Sequence, residues 1–105
     1  MPKRQAHYSV GQLVRHRLFG YRGVVYDVDA DFQGSEQWYG EMALTRPPRN
    51  DPWYHVLVHG RDHSTYVAER NLGLDETAVP IDHPAIEGLF TDFRDGRYVS
   101  ASAIN

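Results

Sequence analysis

Apolar and polar residues alternate in two neighbouring runs near the start of the chain. Every second residue of a β-strand points to the same face, so this alternation predicts strands. The positions that share the apolar faces are Val14, His16 and Leu18 in the first run and Val24, Tyr26 and Val28 in the second. The opposite faces are predicted to carry Arg15, Arg17 and Arg22. Gly20 and Gly23 allow a tight reversal, so residues 11–29 are predicted to form a β-hairpin with a cationic outer surface.

The middle of the chain predicts two further strands and a short helical insertion. Residues 53–58 place Tyr54, Val56 and Val58 on one face of a third strand. Residues 65–68 predict a fourth strand, and one helical turn follows it at 68–72. Between the second and third strands, residues 36–44 predict a short helical turn within a long insertion that is rich in polar residues, glycine and proline.

The clearest helical pattern comes late, at residues 83–93. Pro84 occupies the first helical position, and one apolar stripe is formed by Ile86, Leu89, Phe90 and Phe93. Residues 97–99 are predicted to return as a short strand that closes the sheet. The stripe is large for so small a protein to cover, and packing against the chain's own sheet is the first interpretation. A homo-oligomer, in which part of the stripe faces a second copy, is the alternative.

These elements predict a mainly β fold in one domain that spans residues 1–105. Short strands joined by turns favour a small SH3-like antiparallel β-barrel with one C-terminal α-helix and a short helical insertion. A chain of 105 residues is long enough to fold around one core without a disulfide or a structural metal.

Composition and charge narrow the classes of function. The sequence contains no cysteine, which rules out disulfides and thiolate chemistry, and we expect a cytoplasmic protein. No apolar run is long enough for a signal peptide or a membrane span. The net charge of -3 hides an uneven distribution, since residues 1–26 hold five bases and no acid, whereas residues 27–41 hold five acids and no base. That balance disfavours indiscriminate binding of polyanions and permits a local anionic site.

Several blocks of the sequence resemble one known family. The blocks are GQLVRHRLFGYRGVVYDVD, PWYHVLV, STYVAERNL and the pair His83-Pro84, and they extend from about residue 8 to residue 98. In this order they resemble the heat-shock protein HspQ family, also called the YccV-like or hemimethylated-DNA-binding domain. The resemblance implies a small β-barrel without enzymatic activity that binds hemimethylated DNA. For some members of the family, the implied function also includes presentation of substrates to the Lon protease.

A DNA site is predicted on the basic hairpin and on the proline-bracketed loop. Cationic side chains replace the counterions of phosphates, and flat side chains can contact base edges. The predicted contact residues are Arg15, Arg17, Tyr21, Arg22, Arg46 and Arg49. The alternative is that these arginines form the solvated face of an edge hairpin, where positive charge discourages further strand pairing. His16, on the apolar face, is predicted to be a packed core histidine.

A second surface is predicted to bind a protein partner such as a protease. It consists of Trp38, Trp53 and His55 and is flanked by the acidic run at residues 27–41. Aromatic side chains of this kind often anchor protein interfaces. Burial of Trp53 under the insertion around Trp38 is the alternative.

Metal, cofactor and catalytic sites are not predicted. Consecutive members of the series His55, His59 and His63 would lie about 13 Å apart along a strand, too far to share one ion. Asp27, Asp29 and Asp31 resemble the opening of a calcium loop, but Phe32 stands where that loop requires glycine. The sequence also has no nucleophile elbow and no phosphate-binding glycine loop. We therefore expect a non-enzymatic protein without a cofactor.

Overall fold

The computed structural model of the chain describes residues 5–100, and these residues form seven antiparallel strands and two α-helices. Five strands form the main sheet: β1 (Leu13–His16), β2 (Arg22–Asp29), β3 (Trp53–Val58), β4 (Ser64–Ala68) and β5 (Leu72–Leu74). Their order across the sheet is β4-β3-β2-β1-β5. The other elements are α1 (Glu36–Met42), a 3₁₀ turn (Glu69–Asn71), α2 (Ile86–Leu89), β6 (Phe90–Arg94) and β7 (Arg97–Ser100).

Most of the predicted elements are confirmed. The hairpin, the third and fourth strands, the short insertion helix and the helical turn after β4 are all present. Strand β5 was not predicted, since three residues are too few for an alternating pattern to be recognised. Gly20 has a φ of +76°, as the predicted reversal requires. Gly23 lies within β2 instead, where an added Cβ would lie 2.5 Å from the carbonyl oxygen of Leu57.

The main sheet is not closed into a barrel, so this part of the prediction is wrong. Strands β4 and β5 are both edge strands. The β1–β2 turn approaches β4 through a side-chain hydrogen bond of 2.7 Å between the Tyr21 hydroxyl and Thr65 Oγ1, rather than through a backbone ladder. Within residues 5–100, the outer edge of β4 therefore has no strand partner.

The predicted C-terminal helix is also largely wrong, because only residues 86–89 are helical. Phe90 begins a strand that pairs with β7, and the Asp95-Gly96 pair forms the turn between them. A register shift between Phe90 and Asp92 adds one residue to β6. A bulge of this kind makes residues three apart face the same way, so Phe90 and Phe93 both contact the Tyr98 ring, at centroid distances of 5.1 and 4.6 Å. The bulge explains why the strand imitated helical spacing.

The β6–β7 hairpin covers one face of the main sheet. Its core contains Leu13, Val24, Leu57, Ile81, Phe90 and Tyr98, and Ile86, Leu89 and Phe93 pack against it. The backbone of β7 approaches so closely that a Cβ on Gly11 would lie 2.0 Å from the carbonyl oxygen of Tyr98. The apolar stripe of residues 86–93 is therefore packed within the chain, which is the alternative to an interface between copies. A homo-oligomer remains a prediction without this support.

Two other clusters complete the core. On the opposite face of the sheet, the buried residues are Val14, Val25, Tyr54, Val56, Val67 and Leu72. The third cluster lies where α1 and its flanking loops meet the start of β3, and it contains Tyr39, Ala43, Trp53 and Ala68. Among residues 5–100, no helix is long and apolar enough to cross a membrane.

Candidate functional site

Arg22 is a structural residue and does not lie on the outer surface predicted for it. It shares a face of β2 with Val24, because the two residues are two positions apart. Its Nε donates to Asp75 Oδ2 at 2.7 Å, and its Nη2 donates to the Val79 carbonyl. Only 13% of the Arg22 side chain and 1% of the Asp75 side chain are exposed. Arg22 thus attaches the segment that follows β5 to the hairpin.

The Asp75 carboxylate remains charged inside this contact. Burial by itself would raise its pKa, but hydrogen bonds from Arg22 and from the Thr77 hydroxyl outweigh burial and lower the pKa below its usual value. Arg15 approaches the same carboxylate less closely, with Nη2 3.6 Å from Oδ1, and 46% of its side chain is exposed. Arg15 also donates to the Gly20 carbonyl at 3.1 Å. The hairpin arginines therefore differ in how strongly they are held.

The two arginines of the proline-bracketed loop also differ. Arg49 forms an ion pair with Glu36, and its guanidinium lies 4.0 Å from the centre of the Tyr39 ring. The hydrogen bond to Glu36 raises the pKa of Arg49. Arg46 is exposed and lies 5.9 Å from the centre of the same ring. Arg49 therefore helps to hold α1 against the loop, whereas Arg46 presents its charge to solvent.

Hydrogen bonds bring three exposed arginines to one region. The Arg17 backbone N–H donates to the Asn71 carbonyl at 2.8 Å, and Asn71 Nδ2 donates to Thr45 Oγ1 at 3.0 Å. Arg70 Nη2 donates to the Thr45 carbonyl, and Arg46 is the next residue after Thr45. We call Arg17, Arg46 and Arg70 the cationic patch. Within residues 5–100, none of the three forms an ion pair with a carboxylate.

Arg70 was missed by the sequence analysis. It lies in the turn after β4, where the sequence predicts only a helical turn. It is 53 residues from Arg17 in the sequence. Strand β5 pairs with β1 and so brings the residues before β5 alongside the end of β1. No local pattern in the sequence indicates that pairing, so no signal was available to find Arg70.

The other predicted contact residue of the hairpin, Tyr21, is half-buried beside His16. Its hydroxyl forms a hydrogen bond with Thr65 Oγ1, and burial raises the pKa of Tyr21. His16 is buried, as predicted, and its Nδ1 accepts hydrogen bonds of 3.1 Å from the backbone N–H groups of Leu18 and Phe19. Burial lowers the pKa of His16. A neutral imidazole thus shapes the β1–β2 turn.

The predicted aromatic surface is mostly an internal cluster. Trp53 is 1% exposed, and its Nε1 donates to the Pro48 carbonyl at 3.0 Å. Trp38 is half-buried, with its ring centre 6.1 Å from that of Trp53. Phe32 and Tyr66 pack against both tryptophans. The burial of Trp53 agrees with the alternative stated from the sequence, so a partner would contact the margin of this cluster rather than Trp53 itself.

His55, the third predicted partner-binding residue, belongs to a polar network. Its Nε2 lies 3.0 Å from Asp29 Oδ2, and the Tyr66 hydroxyl donates to the same oxygen at 2.6 Å. Burial and this hydrogen bond raise the pKa of Tyr66. Ligand atoms of Asp27, Asp29 and His55 lie within 4.8 Å of one another. Carboxylate and imidazole groups suit a divalent ion. However, Asp29 Oδ2 already forms hydrogen bonds with His55 and Tyr66.

A groove of about 490 Å³ lies beside the cationic patch, and we call it the apolar groove. It is lined by residues of the β1–β2 turn, by the end of α1 with the loop after it, and by β4. Phe19 is 70% exposed and Leu44 78% exposed, and both line it together with Leu18 and Met42. This groove was not predicted from the sequence, because its walls come from segments that are distant along the chain.

Comparison with known families gives one match that covers most of the chain. The family model described as "Hemimethylated DNA-binding protein YccV like" matches residues 6–97. The matched range contains the cationic patch, the apolar groove and both sheets except the last residues of β7.

Proposed function

The chain belongs to the family of YccV-like hemimethylated-DNA-binding proteins, and from this premise we propose that it is a non-enzymatic module that binds DNA through the cationic patch. Three exposed guanidinium groups in one region, without carboxylate partners among residues 5–100, are the observation that supports the patch as the contact surface. Guanidinium groups donate paired hydrogen bonds to phosphate oxygens, which suits them to the DNA backbone.

The proposal revises the contact residues that were predicted from the sequence. Arg17 and Arg46 remain, and Arg70 is added. Arg22 is removed because it is bound to the buried Asp75, and Arg49 is removed because it is paired with Glu36. Arg15 stays at the margin of the site, since it is partly exposed and only loosely paired.

No reaction forms part of the proposal. The buried carboxylates Asp75 and Glu69 are both held by structural donors, since Glu69 Oε1 accepts from the Tyr54 hydroxyl at 2.6 Å and from the His7 backbone N–H at 2.9 Å. We also propose a cytoplasmic location in association with the nucleoid, as DNA binding would require.

The preference for hemimethylated DNA is tested with three duplexes of one GATC-containing sequence: hemimethylated, fully methylated and unmethylated. Fluorescence anisotropy with the whole chain should give the tightest binding to the hemimethylated duplex. Each duplex presents the same phosphates, so any difference reports on the methyl groups. Equal affinity for the three duplexes would leave a general DNA-binding protein, and absence of binding would overturn the DNA function.

A second candidate function is an adaptor that promotes degradation of substrates by the Lon protease. The exposure of Phe19 and Leu44 in one groove favours it, because clustered apolar surface often marks a protein interface. The test measures the rate at which purified Lon degrades an unfolded substrate with and without the chain. Acceleration by the wild type but not by Leu44→Ser would support the adaptor function, and an unchanged rate would exclude it for that substrate.

A further inference from the structure

The apolar groove follows the free edge of β4. All five residues of β4, Ser64–Ala68, line the groove. Successive residues of a strand point to opposite faces, so a groove that contacts every one of them includes the edge of β4. It also extends over the face on which Trp53 and His55 of β3 lie. The Tyr21–Thr65 hydrogen bond marks the face of β4 that adjoins the β1–β2 turn. Tyr66 and Ala68 mark the face that adjoins α1.

The backbone of this edge offers hydrogen bonds that the described residues leave unused. Beyond the two ends of β4, Val58 N–H donates to the His63 carbonyl at 3.3 Å and Glu69 N–H donates to the Pro52 carbonyl at 3.1 Å. Bonded pairs alternate in an antiparallel ladder, so residues 65 and 67 also bond to β3. The N–H and C=O groups of Ser64, Tyr66 and Ala68 then point outward, and within residues 5–100 they have no partner.

The walls on both sides of this edge are apolar. Leu18 and Phe19 project from the β1–β2 turn, and Met42 and Leu44 come from the end of α1 and the residues after it. Among residues 5–100, four of the six large apolar side chains that are strongly exposed line this groove, and only Leu74 and Val79 lie elsewhere. An added strand would therefore direct its side chains into apolar walls on both of its faces.

The charges around the groove restrict what could occupy it. Among residues 5–100, its lining contains no lysine, arginine, aspartate or glutamate. A polyanion needs cations along its whole length, so this lining suits an uncharged occupant. Thr45 and Asn71 line one part of the groove and also hold the cationic patch together, so positive charge adjoins that part. Edge strands are normally blunted by charged residues or proline, but β4 contains neither.

We propose that the apolar groove is a docking site for an extended segment of another protein, with about five consecutive apolar residues flanked by a carboxylate. The segment pairs with β4 as an added strand, which is an established mode of peptide recognition. Its apolar side chains fill both walls, and its carboxylate contacts the cationic patch. The apolar part of this site is distinct from the proposed DNA contact surface, and only the carboxylate of the segment shares the cationic patch with DNA.

The test begins with a displayed library of random twelve-residue peptides that is selected on the whole, nuclease-treated chain. Selection should enrich an apolar run with an acidic residue at one end. The affinity of the most enriched peptide is then measured by fluorescence anisotropy. Phe19→Ser and Leu44→Ser should each weaken binding at least tenfold. The matched controls Leu74→Ser and Val79→Ser, which alter side chains that are also more than half exposed but lie outside the groove, should change it less than twofold.

A second measurement tests the backbone pairing. N-methylation of alternate peptide amides should weaken binding at least tenfold in one register and much less in the other, since only alternate amides face β4. Lack of enrichment would overturn the proposal, and so would equal losses in groove and control variants or indifference to N-methylation. Light scattering completes the test: a dimer that Leu44→Ser dissociates would make the groove an interface between copies and overturn it as well. DNA that displaces a peptide whose acidic residue is replaced by alanine, and which therefore does not contact the cationic patch, would assign the groove to the DNA interface instead and overturn the proposal.

Discussion

Arg22 and Arg17 lie on the same hairpin, only five residues apart, yet they have opposite roles. Arg22 is mostly buried against the Asp75 carboxylate. Arg17 is exposed, and its Nε donates to the Leu72 carbonyl at 2.7 Å, a neutral partner. No carboxylate of the described residues 5–100 pairs with it. The location of the nearest carboxylate, rather than the density of arginine in the sequence, therefore separates a structural cation from one that is available to a ligand.

The largest expected effect is the loss of stability when the structural arginine is removed. Arg22→Ala leaves the Asp75 carboxylate buried and without its main partner, and we expect the free energy of unfolding to fall by about 3 kcal/mol. Urea unfolding, followed by the fluorescence of Trp38 and the buried Trp53, measures the change.

Arg15→Ala is the matched control for that experiment. Arg15 contacts the same carboxylate, but at 3.6 Å and from a half-exposed position, so its removal should cost less than about 1 kcal/mol. Equal destabilisation by the two variants would contradict the distinction between a buried and an exposed partner of Asp75.

Removal of the cationic patch should have the opposite consequence. The combined change Arg17→Ala, Arg46→Ala and Arg70→Ala should weaken DNA binding and leave unfolding by urea nearly unchanged. Each lost phosphate contact reduces the slope of log affinity against log salt by about 0.9, so the slope should become shallower by about 2.7. Anisotropy titrations at several salt concentrations measure it.

Arg94→Ala provides a surface control for the patch. Arg94 is exposed on β6 and pairs with Asp92 at 2.9 Å, so its removal should not alter the salt dependence. A slope that stays the same in the patch variant would show that DNA is contacted elsewhere.

The smallest expected effect concerns the turn that joins Arg17 to Arg22. Burial lowers the pKa of His16 below its usual value of 6.5. Protons then bind the unfolded state more readily than the folded state, so stability decreases as the pH falls from about 7 through this value towards the folded pKa. His16→Asn retains an acceptor for the Leu18 and Phe19 amides but does not titrate. The midpoint temperature of thermal unfolding should therefore fall less steeply between pH 7 and pH 5 in the variant than in the wild type. Parallel plots of this temperature against pH would refute the role of His16.

Most of the secondary structure could be predicted because it is encoded locally. Alternation in residues 53–58 and 64–68 reflects burial on a pleated sheet, and a serine that caps α1 begins the insertion helix, with Ser35 Oγ accepting from the Trp38 N–H at 3.0 Å. The late helix failed for an equally local reason. One bulged residue in β6 converts strand periodicity into a three-residue spacing, which resembles that of a helix.

By itself, the sequence determined the strands of the hairpin, the buried histidine, the uneven charge and the family to which the chain belongs. Only the tertiary structure decided which charges are available. Asp75 lies 53 residues from Arg22, and Arg70 lies 53 residues from Arg17, so both relations depend on β1–β5 pairing. The apolar groove likewise depends on β4 remaining an edge strand. Local patterns specify which face of an element is covered, whereas the identity of the covering group depends on contacts between distant segments, which no periodicity in the sequence records.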